Sequence, residues 1–179
     1  MQNNSNPEIK QSFLSSAISD ISSYIHLADT KVSIVMAAVV AILAGLASCY
    51  QPIASAICNI IPCSWIGVSF LILAMLFGVS VLGVFLFGLL TVRGHKSIIG
   101  YKSKWYLPQS TKEYSFDEFA KDVRNMTNED IIDNMAAELY KLNDINRQKS
   151  TTLKWTLRLF ACFLSSTACI GILFLVNMI

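Results

Sequence analysis

Apolar and polar positions follow two patterns along this chain. Residues 32–92 and 159–179 contain no Asp, Glu, Lys or Arg, so long stretches have no polar face at all. Elsewhere the apolar residues recur with a period. Leu14, Ile18, Ile21, Ile25 and Ala28 are spaced alternately by four and three, which puts them on one side of a helix. Pro7 suits a helix start, and no breaker separates this stripe from the first uncharged run. The pattern predicts one helix from about Glu8 to about Tyr50. Ile132, Met135, Leu139 and Leu142 form a second stripe, continued in register by Asn146 and Lys149. Residues 127–170 hold no Gly or Pro, so this helix is expected to run into the last uncharged segment. Thr127 to Asp130 and Ser115 to Glu118 each place a hydroxyl three residues before a carboxylate, the signature of a helix start. The Ser115 box predicts a short helix ending near Asn125. No strand signal and no internal repeat stands out.

The uncharged block 32–92 has room for two membrane crossings of about 20 residues each and a turn. The first is placed at Val32 to Tyr50 and the second at Trp65 to Val92, with Gln51, Pro52, Asn59, Pro62, Cys63 and Ser64 supplying the turn chemistry. Leu159 to Ile179 is the third. Residues 94–114, with Gly94, Gly100, Pro108 and scattered aromatics, read as a loop. The chain is predicted to be an all-α membrane protein with three transmembrane helices. A helical bundle built from extensions of the first and last helices plus the short helix is expected on the cytoplasmic side. The divisions are 1–31, an amphipathic helix; 32–92, two spans with a short outer loop; 93–158, linker and helices; and 159–179, the third span.

Composition sharpens this picture. The chain is 54% hydrophobic and 15% charged, against about 25% charged for globular proteins, and an ordinary soluble core is excluded. Arg93, Lys96, Lys102 and Lys104 follow the second span, and Arg147, Lys149, Lys154 and Arg158 precede the third, while 51–64 has no Lys or Arg. Basic loops stay inside, so the N-terminus and 93–158 are expected in the cytoplasm and the C-terminus outside. No signal peptide is expected ahead of the first span.

Candidate chemistry is sparse. The spans lack ionisable groups of the kind that transporters and pumps place at membrane depth. No Walker loop, nucleophile elbow or zinc-protease motif occurs, and His26 and His95 are the two histidines, so no enzyme activity, metal site or cofactor is expected. The five cysteines read as small apolar residues; a Cys58–Cys63 bridge and free thiols both remain open on the outer side. Ala37, Ala41 and Gly45, and Ala74 and Gly78, repeat at four and suit close helix contact, within one protomer or between several.

Ala28-Asp29-Thr30-Lys31 stands apart, setting acid, hydroxyl and base at the mouth of the first span. The set fits an interfacial anchor pair or a ligand or gating role. At this point the chain resembles the transmembrane effectors of bacterial Pycsar anti-phage systems, in which a pyrimidine cyclase makes cyclic CMP or cyclic UMP. Ala28, Asp29 and Lys31, followed by Val32-Ser-Ile-Val-Met-Ala-Ala, match the Ala-Asp-x-Lys signature opening an Ala-rich span. Leu142, Ile145 and Lys149 match a Leu-x-x-Ile-x-x-x-Lys-like pattern before a final span, and Trp105 and Tyr106 stand where linker aromatics fall. The likeness covers about residues 15–179. Pro108-Gln109-Ser110 departs from the Gly-containing stretch expected after the aromatics.

The resemblance implies an effector of the bacterial inner membrane that stays silent until infection raises a cyclic pyrimidine mononucleotide, then impairs the membrane and ends growth. Cyclic CMP or cyclic UMP is the implied ligand. A basic and aromatic cleft near Asp29, Lys31, Trp105, Arg147 and Lys149 would suit it, with phosphate on the cations and base on an aromatic face. The bilayer and further copies of the chain are the other expected partners, because three uncharged spans cannot enclose an aqueous path alone; nucleic acid is not expected. The alternative is a constitutive membrane scaffold or accessory subunit docking a cytoplasmic partner.

Overall fold

The computed structural model describes residues 6–49, 51, 53–55, 57, 64–93 and 115–178. All regular structure among them is helical: α1 (Pro7–Ser48), α2 (Ser64–Val92), α3 (Phe116–Arg124) and α4 (Asn128–Met178), with residues 51, 53–55 and 57 helical as well. The linker with Trp105, Tyr106 and Pro108, and Cys58 and Cys63 with their possible bridge, lie outside the described residues. Three helices, Pro7–Ser48, Trp65–Val92 and Asn128–Val176, are long and apolar enough to cross a membrane. The chain is thus an all-α protein with three membrane-length helices, as its hydropathy pattern predicts.

Helix ends follow local chemistry. Pro7 opens α1 where its missing N–H costs nothing, and the Asn6 side chain accepts a hydrogen bond from Glu8 N–H at 3.3 Å. Ser115 and Glu118 form a reciprocal capping box on α3. Thr127 and Asp130 do the same on α4: Thr127 N–H donates to Asp130 Oδ2 at 3.0 Å and Asp130 N–H to Thr127 Oγ1 at 3.2 Å. Each box satisfies two of the backbone donors that a helix start leaves open. With 51 residues, α4 is about 76 Å long at 1.5 Å per residue, more than twice the bilayer's hydrocarbon thickness.

The chain divides into two compact units, and the divisions fall inside helices. One unit comprises residues 1–27 and 95–148, the other 28–94 and 149–179. In the first, the predicted stripes Leu14, Ile18, Ile21, Ile25 and Ile132, Met135, Leu139, Leu142 are half-buried. α3 buries none of its residues.

The second unit is the membrane unit. Its core is Val35, Val39, Val84 and Phe163, packed by Ile42, Leu43, Phe77, Val81, Phe85, Leu159 and Phe160. On α1 the buried positions Ala28, Val32, Val35 and Val39 continue the four-three register of Leu14 to Ile25. On α4, Lys149, Thr156 and Phe163 are buried at intervals of seven. A seven-residue repeat keeps one seam facing its neighbours when helices wrap with a left-handed twist. Close approach occurs at two glycines of α2. A Cβ on Gly83 would meet Leu159 Cδ1 at 2.7 Å, and one on Gly88 would meet Met36 Sδ at 2.9 Å. Gly45 and Gly78, in the repeats that suggest contact, have nothing within 4 Å of the equivalent point, and Ala37 and Ala41 are exposed. The Ala37, Ala41 and Gly45 repeat therefore lies outside the packing of this unit, while Ala74 and Gly78 are half-buried. Leu71, Met75, Leu82, Leu86 and Leu89 of α2 also point outward, an arrangement suited to hydrocarbon surroundings rather than water.

Candidate functional site

The register that buries Val and Phe along α1 and α4 also buries a charge. Lys149 follows Leu142 by seven on the inward seam of α4, and its residue is only 5% exposed. Its Nζ donates to both carboxylate oxygens of Asp29, at 2.6 Å and 2.7 Å. The side chains are unequally covered, Lys149 at 6% and Asp29 at 32%. An ammonium this far from water requires an anion, since removing one member of a buried pair leaves an uncompensated charge. Asp29 follows buried Ala28 by one residue, at the rim of the α1 seam, and from there its carboxylate reaches Lys149 while keeping one side toward solvent. The Asp29 main-chain carbonyl accepts the Ser33 hydroxyl at 2.9 Å, which helps fix the turn.

A second polar contact lies beside this pair. Thr91 Oγ1, on the last turn of α2, is 2.8 Å from both Thr152 Oγ1 and Phe87 O. Thr152 Oγ1 is in turn 3.0 Å from Lys149 O. Each hydroxyl has one proton to donate, and two orders satisfy the set: Thr152 to Thr91 to Phe87 O, or Thr91 to Thr152 to Lys149 O. Either way α2 is tied to α4 within one turn of the residue that ties α4 to α1. All three membrane helices are joined by polar contacts at this node.

The residues singled out by sequence do not all share this node. Asp29 and Lys149 meet. Lys31, two positions on from Asp29, is exposed and makes no side-chain contact of its own among the described residues. Arg147 bonds Asp144 at 3.0 Å on its own helix with its side chain 81% exposed, and Gln148 shares that carboxylate. Trp105 lies outside the described residues. Sequence reasoning passed over Thr91, Thr152 and Trp155. Trp155 stacks on Phe87 with ring centroids 6.2 Å apart, and the Arg158 guanidinium sits 5.1 Å above the Trp155 ring. A Trp and an Arg at the charged end of an apolar helix suit the membrane–water boundary, a signal that was available in the sequence.

What the node does in the structure is pair one buried charge and tether helices. No nucleophile beside a base is present in it, and among the described residues no three His, Cys, Asp or Glu side chains gather as metal ligands would. A cavity of about 480 Å3 opens elsewhere in the membrane unit, lined by Leu46, Phe70, Phe77, Ile170, Phe174 and neighbours. Its one hydroxyl, on Thr167, donates to Phe163 O at 2.8 Å, so the cavity offers nothing to hold a charged ligand.

Residues 13–177 fit the family model described as the Pycsar effector protein domain, a span that includes Asp29, Lys149 and all three membrane-length helices. No curated protein and no solved structure matches the chain.

Proposed function

The chain belongs to the Pycsar effector family and is a membrane effector of an anti-phage system; from that premise we propose that it senses a cyclic pyrimidine mononucleotide and, on sensing it, impairs the bacterial inner membrane. The ligand is cyclic CMP or cyclic UMP. Its phosphodiester takes a cation of the Lys149 region, with Lys31 and Arg147 as exposed basic residues able to steer it and Trp105 as the stacking surface for the base. The N-terminus and residues 93–158 are cytoplasmic, where the signal is made, and the C-terminus is outside.

The observation that carries this reading is Lys149, a lysine on an apolar seam of a membrane protein with no enzyme constellation around it. A helix needing only stability would place a leucine there, since a well-packed apolar residue is commonly as stabilising as a buried pair. Membrane damage in this reading takes several copies, because three helices of this kind enclose no aqueous path. The outward Ala37, Ala41 and Gly45 of α1, unused within the protomer, suit contact between copies.

The test is direct binding. Purified protein in detergent is titrated calorimetrically with cyclic CMP, cyclic UMP, cyclic AMP and cyclic GMP, and cells expressing it are followed with a membrane-potential dye as each nucleotide is raised. Binding of one pyrimidine nucleotide with depolarisation by the same nucleotide is expected. Equal indifference to all four would end the proposal.

A further inference from the structure

We infer that Asp29 is a built-in competitor of the ligand: its carboxylate occupies on Lys149 the place that a phosphodiester takes on activation, so ligand binding and release of α1 from α4 are one event. This rests on the reading of Lys149 as part of the nucleotide site.

Three features of the pair carry it. The first is occupancy. Lys149 is only 5% exposed, and both oxygens of Asp29 lie within 2.7 Å of its Nζ. The carboxylate takes two of the three ammonium donors, and a second anion gains those two only as the carboxylate leaves. The second is chemical equivalence. A carboxylate and a cyclic phosphodiester are both monoanions presenting two terminal oxygens, and either can satisfy the same charged donor. The third is asymmetry. Asp29 keeps 32% of its side chain exposed and Lys149 keeps 6%, so Asp29 is the member that can turn into water and be hydrated there. Lys149 must stay paired, and exchange leaves it paired.

Exchange is selective among the three ties of the node. The Thr91–Thr152 contact does not involve Asp29, and α2 remains joined to α4 when α1 is let go. The helix that changes its contacts is therefore α1, whose outward Ala37, Ala41 and Gly45 then meet other copies in a new orientation. The silent state is held by Asp29, and a phosphate ends it by mass action.

Asp29→Asn tests this, because the amide keeps the shape and one acceptor oxygen but loses the charge that competes. Full-length protein is reconstituted in vesicles of phosphatidylethanolamine and phosphatidylglycerol loaded with a self-quenching dye. Without any nucleotide, Asp29→Asn is expected to leak at least tenfold faster than the wild type, and in binding assays to take cyclic CMP or cyclic UMP at least tenfold more tightly. The exchanged pair, Asp29→Lys with Lys149→Asp, restores opposite charges across the same helices. Its leak should fall at least fivefold below that of Asp29→Asn, while nucleotide affinity drops at least tenfold because the cation has moved to the other helix. Asp29→Asn that stays silent and binds no more tightly overturns the inference, as does an exchanged pair that binds nucleotide like the wild type. If Asp29→Asn does not insert, the exchanged pair alone decides by its affinity. Wild-type protein that binds none of the four nucleotides overturns the functional reading instead, and nucleotide-free leak of Asp29→Asn still reports whether the pair holds the silent state.

Discussion

The two units bury very different material. In the membrane unit Val32, Val39, Val84, Thr91, Thr156 and Phe163 are fully enclosed. In the other unit, among the described residues, the one buried side chain is Asn134, at 5% exposure, with Nδ2 donating to Asp130 O at 2.8 Å. Both units use the same four-three spacing on the same two long helices. What differs is the third element against which the seam closes. α2 supplies Gly83, Val84 and Gly88, a surface that lets α1 and α4 come close, whereas α3 has nine residues and buries none of them. The same periodicity thus produces a sealed core where a third long helix is present and a half-open seam where it is not. Regions with few buried contacts open at low free-energy cost.

The comparison can be broken most forcefully at its ion pairs. Asp29→Ala strands the buried Lys149 ammonium and is expected to cost about 3–5 kcal/mol. Arg147→Ala removes a pair of 3.0 Å from the other unit, but with the arginine 81% exposed the loss should stay within about 1 kcal/mol. Denaturant titration in detergent, followed by tryptophan fluorescence, reads both, and equal losses would show that burial does not separate the two units.

Next in size are the glycines of α2. Gly83→Val pushes a side chain into Leu159 and should destabilise by about 1–3 kcal/mol through overpacking. Gly78→Val enters open space and should stay within about 0.5 kcal/mol. Thermal unfolding of the two variants side by side checks the difference; identical midpoints would mean that α2 does not pack through Gly83.

The smallest effect belongs to the half-open unit. The Ser115 backbone N–H and then its hydroxyl hold the Glu118 carboxyl below its ordinary value of 4.5. A group whose value is lowered by folding contributes while it is ionised, so this cap is fully made at neutral pH. Its contribution fades as pH falls through the lowered value. Hydrogen exchange at the Glu118 amide should therefore gain protection as pH is raised out of the acid range, beyond the intrinsic trend, and Glu118→Gln should lack that gain. A flat profile in the wild type would remove the capping box from solution.

Much of the architecture was legible because it follows from composition and spacing. Uncharged runs mark the membrane helices, and Ser115, Thr127 and Pro7 mark starts that the structure retains. The node was legible only in halves. Lys149 on an apolar seam announces that it needs an anion, and Asp29 at the mouth of the first span announces that it has a role. Their pairing across 120 residues depends on which faces of α1 and α4 meet, and bulky neighbours such as Phe163 and Val39 set that rotation. Small-residue repeats left their partner open for the same reason: Gly78 and Gly83 look alike in sequence, and helix rotation alone decides which one meets Leu159. Thr91 and Thr152 gave no signal, because most hydroxyls in such helices bond their own backbone.

That last habit has a mechanical consequence. Ser33, Ser48, Ser69, Ser165 and Thr167 all donate to carbonyls four residues back on their own helices. Beyond Asp29 these hydroxyls put no directional bond between α1 and its neighbours, and surfaces that touch through methyl and methylene groups resist separation far more than they resist rolling. From Asp29 to Ser48 is about 28 Å of rigid rod at 1.5 Å per residue. A tilt of about 10° at the Asp29 end moves the far tip by about 5 Å, on the scale of a full helical turn. The carboxylate that bonds Lys149 thus sits at one end of a long rigid arm, where a small change of angle becomes a displacement of helical-turn size at the other end.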